Sequence, residues 1–393
     1  MISAQGIARL IELPFSLLVV IFKYFLGTTH FRKYERRLHI CIKLTIYRKG
    51  LMMPITDTRC LDIMTNNTLF NLAKRVHYND VKTLPHYGQR YGTSGIWVAK
   101  PTQRSKSDPM IIYSHGGGYF MQTQLEQMKT LIALYNSIDA SKNVSLLFLD
   151  YDLVCRGHKF PRQLRQLDSI YQKLVDEGNT NLILFGDSAG AHLSISYTEY
   201  LKEEKPYLIN PTKLVLISPW VDLMANLDDY KPGKSYYEGQ NRDLINFKQF
   251  RREHEILFID DEKKHLHPYF AWSNKQTVDW NTNKFFANEK SEVFLLYGED
   301  ESFRDHIHKW SQDVFGVKEI IWSNDSNNKL LPEFEVTSSK KGRAKLTCFV
   351  EPWGLHDALF FMEYDIIKRY KKDVDPERYF AFTRLVKYLN ESL

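Results

Sequence analysis

Short runs of apolar and β-branched residues recur along the chain, each bounded by residues typical of turns. They lie at 95–99, 110–113, 144–149, 182–185, 214–217, 293–297 and 346–350. Apolar and polar positions do not alternate within them, which is typical of strands buried on both faces of a parallel sheet. Helix-length mixtures of polar and apolar residues, such as 162–177 and 189–204, separate several of the runs. The pattern predicts an α/β protein with one mostly parallel, doubly wound sheet.

Two regions depart from this alternation of strands and helices. Residues 31–93 precede the sheet, and residues 221–290 interrupt it with polar, aromatic-rich sequence. Such insertions usually emerge at the carboxyl edge of the strands, where ligands bind. We therefore expect a catalytic domain over 94–393 with a helical cap in two parts, 31–93 and 221–290.

The first 30 residues form a separate segment. Leu13–Phe22 is free of charge, and Ile7–Leu26 has the length of a spanning helix, although it contains Arg9, Glu12, Pro14 and Lys23. Aromatic residues beside Lys23 suit a membrane boundary and favour an uncleaved anchor or interfacial helix. The alternative is a buried first helix of the fold.

The side of the membrane stays open. The segment is followed by Arg32, Lys33, Arg36 and Arg37 but preceded only by Arg9, and the positive-inside rule would then keep the body in the cytosol. Glycosylation sequons at Asn66, Asn143, Asn324 and Asn390 would permit a luminal body.

Composition excludes several classes of function. The net charge is only +6, and the densest basic run, 340–345, contains a glycine and is interpreted as a solvated turn, so we expect no nucleic-acid partner. The four cysteines lie far apart, which indicates neither a metal site nor a disulfide framework.

The pentapeptide Gly186-Asp-Ser-Ala-Gly190 lies between a strand-like run and a helix-forming segment. This is the setting of a nucleophile elbow, a sharp turn that exposes a serine. Side chains at 186 and 190 would collide with the neighbouring strand and helix, which explains the two glycines. The motif predicts Ser188 as a nucleophile.

A second motif, His115-Gly-Gly-Gly-Tyr119, follows the run 110–113 and precedes Ser188 by about seventy residues. Bare backbone N–H groups at consecutive glycines suit an oxyanion. Gly117 and Gly118, with Ala189 after the serine, are the predicted oxyanion hole. The alternative is a flexible turn, which the order and spacing of the two motifs disfavour.

A nucleophilic serine needs a base and a group that orients the base. Of the 13 histidines, His356 is the one that comes shortly after the last strand-like run, and it is the predicted base. His192, inside the helix after the elbow, is interpreted as a packing residue, whereas His306 and His308 are expected to be exposed on a helix. The acid should follow the run 293–297, where three adjacent carboxylates, Glu299, Asp300 and Glu301, leave the choice open.

Together these motifs resemble the hormone-sensitive-lipase-like, or GDXG, family of α/β-hydrolases. Within it they are most similar to arylacetamide deacetylases and fungal steryl acetyl hydrolases. The resemblance covers roughly residues 95 to 393 and rests on 115–119, 186–190, 218–222 and 354–357. It implies the α/β-hydrolase fold. The family's acid loop, laid on Glu301–Asp305, selects Glu301 as the triad acid, and a shift of one residue would select Asp300.

The resulting hypothesis is a serine carboxylic-ester hydrolase that acts through an acyl-enzyme, with Ser188, Glu301 and His356 as its triad and no metal or organic cofactor. The resemblance implies a small lipophilic ester as substrate, such as a steryl acetate. It also implies attachment to the endoplasmic-reticulum membrane by the N-terminal segment. The alternatives are an inactive ligand-binding protein on the same fold, or an amidase or formamidase with the same triad.

Overall fold

The computed structural model describes residues 2–60, 64–223, 227–246, 278–317, 335–338, 341–369 and 380–393. Its strands are β1 (Arg90–Tyr91), β2 (Gly95–Ala99), β3 (Met110–Ser114), β4 (Ser145–Leu149), β5 (Leu182–Asp187), β6 (Lys213–Ile217), β7 (Glu292–Gly298), β8 (Glu335–Ser338) and β9 (Lys345–Glu351). They form one sheet of nine strands in the order β1-β2-β4-β3-β5-β6-β7-β9-β8.

The centre of the sheet is parallel and its edges are antiparallel. Strands β4, β3, β5, β6, β7 and β9 pair in parallel, while β1 and β2 at one edge and β8 at the other pair antiparallel. This is the predicted mostly parallel sheet, and that prediction is confirmed. All the carboxyl ends of the parallel strands meet at one edge, where the motif-bearing loops come together.

Helices cover both faces of the sheet. They are α1 (Ala4–Phe25), α2 (Leu38–Leu51), α3 (Ile55–Thr58), α4 (Asn66–Val76), α5 (Tyr78–Val81), α6 (Leu125–Asn136), α7 (Arg162–Asp176), α8 (Ala189–Glu204), α9 (Ser235–Gly239), α10 (Arg304–Phe315), α11 (Tyr364–Arg369) and α12 (Phe380–Ser392). A π-helical segment, Leu359–Glu363, precedes α11. The strand–helix alternation after β3 is therefore the doubly wound arrangement that the sequence predicts.

Two apolar clusters lie on opposite faces of the sheet, which explains why the strands lack alternation. Ile112, Leu184 and Leu216 belong to one cluster, together with helices α7 and α8. Their neighbours in sequence, such as Ile183 and Val215, belong to the other cluster, with α6 and α12. Because successive side chains point to opposite faces and both faces are covered, apolar residues occupy most positions of the central strands.

The N-terminal helices pack across the carboxyl edge of the sheet. A third apolar cluster joins Val20 of α1 and Leu44 of α2 to Leu244, in the predicted second cap part, and to Leu355, beside the predicted base. The stretch 31–93 contains helices α2 to α5. Of the predicted part 221–290, the residues 224–226 and 247–277 lie outside the described residues.

Several features that bear on membrane topology have structural roles. Lys33 is buried beside Glu351 and Glu363, and Arg32 pairs with Asp300, so two of the basic residues after α1 belong to the folded body. Among the sequons, Asn66 is buried. Its amide donates to Asp150 over 2.7 Å, which makes it a poor acceptor in the folded chain. Asn324 lies outside the described residues.

Candidate active site

Ser188 lies at the sharp turn between β5 and α8. Its backbone has φ 49° and ψ −114°, a conformation that L-residues adopt only where the surrounding structure holds it. A Cβ on Gly190 would overlap the carbonyl of Ser114 in β3, and a Cβ on Gly186 would overlap the backbone of Gly190. The two glycines therefore let the strand and the helix approach closely enough to place the serine at the apex.

Ser188, His356 and Glu301 form a continuous hydrogen-bonded chain. His356 Nε2 lies 2.9 Å from Ser188 Oγ, and His356 Nδ1 lies 2.8 Å from Glu301 Oε1. Ser188 follows β5, Glu301 follows β7 and His356 follows β9. The sheet therefore brings together three residues that are up to 168 positions apart in the sequence.

The second oxygen of Glu301 is also held. Ser218 Oγ donates to Glu301 Oε2 over 2.8 Å, and the N–H of Gly298 donates to the same oxygen over 2.9 Å. The two donors thus hold the carboxylate in a fixed orientation. Ser218 belongs to the 218–222 motif that carries the family resemblance, but the sequence did not indicate this contact.

The three adjacent carboxylates of the acid loop have three different partners. Glu299 Oε2 accepts the N–H of Trp353 over 3.0 Å, which ties this loop to the loop that carries His356. Asp300 accepts from Arg32 Nε over 2.9 Å. Glu301 reaches the imidazole. The geometry therefore brings Glu301, and not Asp300, to His356.

The glycine loop after β3 lies beside Ser188. Gly117 and Gly118 have φ values of 108° and 62°, in the region that favours glycine. Neither their N–H groups nor that of Ala189 donate to another residue in the described part of the chain. Three free donors grouped near the serine are the arrangement that a developing oxyanion requires.

Asp187 joins the elbow to the glycine loop. Its buried carboxylate accepts from the N–H of Gly116 over 2.9 Å, from Tyr113 Oη over 2.6 Å and from Gln127 Nε2 over 3.0 Å. Burial, and then the nearby charge of Asp357, raise the pKa of Asp187. His115 braces the same loop, and its burial lowers its pKa to about 4, so its ring is neutral at pH 7.

Two further carboxylates adjoin His356 and were not found from the sequence. Asp357 Oδ2 lies 3.1 Å from His356 Nε2. Asp243 accepts the backbone N–H of His356 over 2.8 Å and that of Ser302 over 2.7 Å. Burial raises the pKa of Asp243 to about 6. Adjacency to His356 could have pointed to Asp357, whereas Asp243 lies in an irregular segment without a motif.

Asp357 and Glu301 raise the proton affinity of His356. Burial alone lowers the pKa of His356, but the negative charges of Asp357 and Glu301 raise it by more, so the net shift is upward. Burial also raises the pKa of Asp357. The imidazolium form is thus stabilised at this position.

His192, His306 and His308 all lie in the interior. His192 is fully buried, and its Nδ1 forms a hydrogen bond of 2.8 Å with Tyr119 Oη. It is therefore a packing residue of the interior. The expectation that His306 and His308 are exposed is wrong, because both are buried on α10. His306 packs edge-on against Tyr236 and lies 3.3 Å from Asp229, so residues of the segment 227–246 cover this face of the helix.

A cavity of about 330 Å³ opens onto Ser188 and His356. Its inner end includes Gly117, Gly118 and Asp357, and its outer walls come from α1, α2 and the segment around Leu244. Within the described ranges, no group of three His, Cys, Asp or Glu side chains could hold a metal ion. The site is a mostly apolar pocket that leads to Ser188, with His356 and Glu301 hydrogen-bonded behind it and the glycine loop beside it.

Comparisons with known proteins agree with this geometry. The family model for steryl acetyl hydrolases matches residues 48–335. The putative steryl acetyl hydrolase mug81 of Schizosaccharomyces pombe is 28% identical over 80% of this chain and 85% of its own length. Steryl acetyl hydrolase 1 of Saccharomyces cerevisiae is 30% identical over 51% of this chain and 47% of its own length.

Solved structures of esterases have the same fold. Carboxyl esterase 2 of Tuber melanosporum superposes with a TM-score of 0.54 at 15% identity, over 82% of this chain and 98% of that one. An esterase of the bacterial hormone-sensitive lipase family superposes with a TM-score of 0.54 at 16% identity, over 89% of this chain and 97% of that one. The chain has the α/β-hydrolase fold, belongs to the steryl acetyl hydrolase family and is a carboxylic ester hydrolase.

Proposed function

We propose that the protein hydrolyses esters through a covalent acyl-enzyme on Ser188, with His356 as general base and Glu301 as the acid that orients it. The observation that carries this proposal is the chain of contacts from Ser188 Oγ through the imidazole to Glu301, at 2.9 and 2.8 Å. These distances are those of hydrogen bonds ready for proton transfer.

In the acylation step, Ser188 Oγ attacks the ester carbonyl while its proton moves to His356 Nε2. Glu301 accepts a hydrogen bond from the Nδ1–H group of His356, which fixes the tautomer that leaves Nε2 free as a base. The negative charge on the carbonyl oxygen is stabilised by the N–H groups of Gly117, Gly118 and Ala189. One such donor is worth about 3 kcal/mol of barrier. The imidazolium then gives its proton to the departing alcohol.

Deacylation repeats these steps with water as the nucleophile. His356 Nε2 takes a proton from the water as its oxygen attacks the acyl carbonyl, and the carboxylic acid leaves as the proton returns to Ser188 Oγ. The residues of the chain suffice for both half-reactions, and neither requires a cofactor.

We propose a lipophilic ester with a short acyl group, such as a steryl acetate, as the substrate. The steryl acetyl hydrolases among its relatives support the acetyl group and the sterol class. The pocket supports an apolar alcohol portion, because Leu10, Leu13, Ile46, Leu51 and Leu244 line it. Its volume, about 330 Å³, is within the range of small-molecule sites.

We also propose that the protein acts at the endoplasmic-reticulum membrane through its N-terminal segment. Helix α1 is the helix, among those described, that is long and apolar enough to cross a membrane by length and composition. A sterol ester is itself a membrane solute, so enzyme and substrate would share one location.

The experiment is turnover of a short-chain chromogenic ester by the wild type and three variants. We expect Ser188→Ala to lose on the order of 10⁶ in kcat. Glu301→Gln should be strongly impaired because the amide cannot stabilise the imidazolium. Asp300→Asn, which changes the ion pairs with Arg32 and Arg242 but no contact to His356, is the matched control and should retain most of its kcat.

The outcomes also separate the alternatives. Ester turnover that survives Ser188→Ala would contradict the acyl-enzyme. A wild type that binds the ester without turnover would indicate a ligand-binding protein. Faster turnover of the matched anilide than of the ester would indicate an amidase. Greater damage from Asp300→Asn than from Glu301→Gln would assign the triad acid to Asp300.

A further inference from the structure

Helix α1 carries a line of large apolar side chains on the face that points away from the protein. Ile7, Ile11, Phe15, Leu18, Phe22 and Phe25 follow one another at spacings of three and four residues, which places them in one stripe along the helix. We call this set the α1 stripe. Its members are between 49% and 75% exposed.

Two charged residues of α1, Arg9 and Glu12, lie on the side of the helix opposite the stripe and are partly exposed. Arg9 pairs with Glu12 over 2.8 Å, and Lys49 of α2 reaches the same carboxylate over 3.2 Å. A surface helix of a water-soluble protein has the opposite arrangement, with its apolar side on the core and its polar side in water. Here the exposed side of the helix is the apolar one.

Contacts hold α1 to the body along its whole length. At its start, the N–H of Ser3 donates to the Asp57 carboxylate over 3.2 Å. Glu12 makes its contact with Lys49 in the middle, and Val20 is buried in the cluster with Leu44 near the end. A helix that crossed a bilayer would have to leave all three contacts. The geometry is therefore that of a helix lying along the surface.

The same helix forms part of the wall of the substrate cavity. Arg9, Leu10 and Leu13 line the cavity whose inner end holds Ser188. Leu10 is 44% exposed and adjoins the α1 stripe, and Ile46 of α2 lines the opposite side and is also 44% exposed. The mouth of the cavity is thus continuous with the exposed apolar face.

We propose that α1 lies in the plane of a membrane surface, with the α1 stripe in one leaflet, and that the ester substrate passes from that leaflet between α1 and α2 to Ser188. The proposal rests on the proposed esterase function. A lipid surface fits the stripe because the helix, at about 33 Å, presents apolar side chains over its whole length with no polar interruption on that face.

The first test compares two substrates in one variant. Phe15→Glu/Leu18→Glu/Phe22→Glu changes three stripe residues that lie outside the cavity wall. Turnover of a soluble chromogenic acetate should stay within about twofold of the wild type. Turnover of a steryl acetate held in phosphatidylcholine–phosphatidylserine vesicles should fall by about tenfold or more, together with vesicle binding, because membrane affinity scales with buried apolar area.

Tyr207→Glu is the matched control, since Tyr207 is 73% exposed and lies outside α1. It should change neither rate. An equal loss on both substrates in the triple variant would show that the stripe serves folding, and unchanged vesicle turnover would overturn the proposal. A wild type inactive on the soluble acetate would instead contradict the proposed esterase. Loss of a dimer in the triple variant, with vesicle turnover retained, would assign the stripe to a second copy.

A second test measures how deeply positions along α1 lie in the membrane. Spin labels at positions 7, 15 and 22, in a chain whose partly exposed Cys60 and Cys155 are replaced by serine, report how far each position lies from the headgroups. An in-plane helix places all three labels at similar shallow depths. A spanning helix would separate the labels at 7 and 22 by about 22 Å along the membrane normal, with the label at 15 near the midplane, and that result would overturn the proposal.

Discussion

At the scale of single residues, His356 is surrounded by three carboxylates that act on it in different ways. Glu301 holds Nδ1, Asp357 approaches Nε2, and Asp243 accepts the backbone N–H. The proposed base needs a fixed ring and a free Nε2. Glu301 and Asp243 fix the position of the ring. Asp357 affects Nε2, because its charge favours the protonated form of this nitrogen, which must accept the serine proton.

Asp357→Asn should therefore shift the pH dependence of the reaction. The Asp357 charge raises the pKa of His356, so its removal lowers that pKa. The base acts in its neutral form, and the rise of kcat/KM with pH should then begin at lower pH in the variant. A pH profile of kcat/KM with a soluble ester measures this shift.

The matched control is Asp228→Asn, which removes a largely exposed carboxylate whose field is screened by water. It should leave the profile in place. An Asp357→Asn profile with the same midpoint as the wild type, or one moved to higher pH, would show that Asp357 does not set the proton affinity of His356.

The sequence was informative where chemistry imposes an order on the chain. Ser188 and His356 follow from a glycine-bounded turn and from the order of the triad, and the structure brings them within 2.9 Å. Glu301 could be selected only through the family resemblance, since three adjacent carboxylates satisfy the same pattern. Asp243 lies 113 positions from His356 and contacts its backbone N–H. Every residue except proline has such an N–H, so the sequence could not indicate this contact.

At the scale of elements, helix α8 can pack closely against β3 and β5 because Gly186 and Gly190 have no side chains. A Cβ on Gly190 would overlap the backbone carbonyl of Ser114, which cannot rotate away. Gly190→Ala should therefore displace the elbow and destabilise the fold by about 1–3 kcal/mol, the usual cost of overpacking. Denaturant unfolding measures the loss, and activity should fall with it because Ser188 moves.

Gly50→Ala provides the matched control. Gly50 lies near the end of α2, and a Cβ there meets nothing within 4 Å. Alanine in a helix is favoured over glycine by about 1 kcal/mol, so this variant should be as stable as the wild type or more so. If the two alanine variants unfolded at the same denaturant concentration, close packing at the elbow would not be the reason for Gly190.

Central elements were predictable and peripheral ones were not. Strands buried on both faces leave an unbroken apolar run, and all of the predicted runs are strands. Strand β1 has two residues and β8 has four, too short to show any pattern. The histidines of α10 were misassigned because a helix normally leaves one face in water. Here Tyr236 and neighbouring residues cover that face as well.

At the scale of the whole molecule, a buried ion cluster ties the N-terminal region to the end of the chain. Lys33 precedes α2, Glu351 ends β9, and Glu363 lies after the His356 loop; all three are buried. Lys33 Nζ contacts Glu351 and lies 3.4 Å from Glu363, which also accepts the N–H of Phe382 in α12 over 2.9 Å. The segment that carries α1 is thus joined to the same loop that presents the proposed base.

Lys33→Met should destabilise the protein by about 3–5 kcal/mol, because it leaves two buried carboxylates without their cation. Burial raises the pKa of Glu363, and removal of the lysine charge, which lowers it, should raise it further. When the pKa of a carboxyl group is higher in the folded than in the unfolded state, the free energy of unfolding falls as the pH rises. The loss of stability caused by Lys33→Met should therefore grow toward neutral pH and shrink in acid. Denaturant unfolding at several pH values measures it.

Lys231→Met, in an exposed pair with Asp228, is the control and should cost at most about 1 kcal/mol at every pH. A Lys33→Met deficit that matched this control, or that grew in acid, would mean that the cluster does not hold the N-terminal region in place.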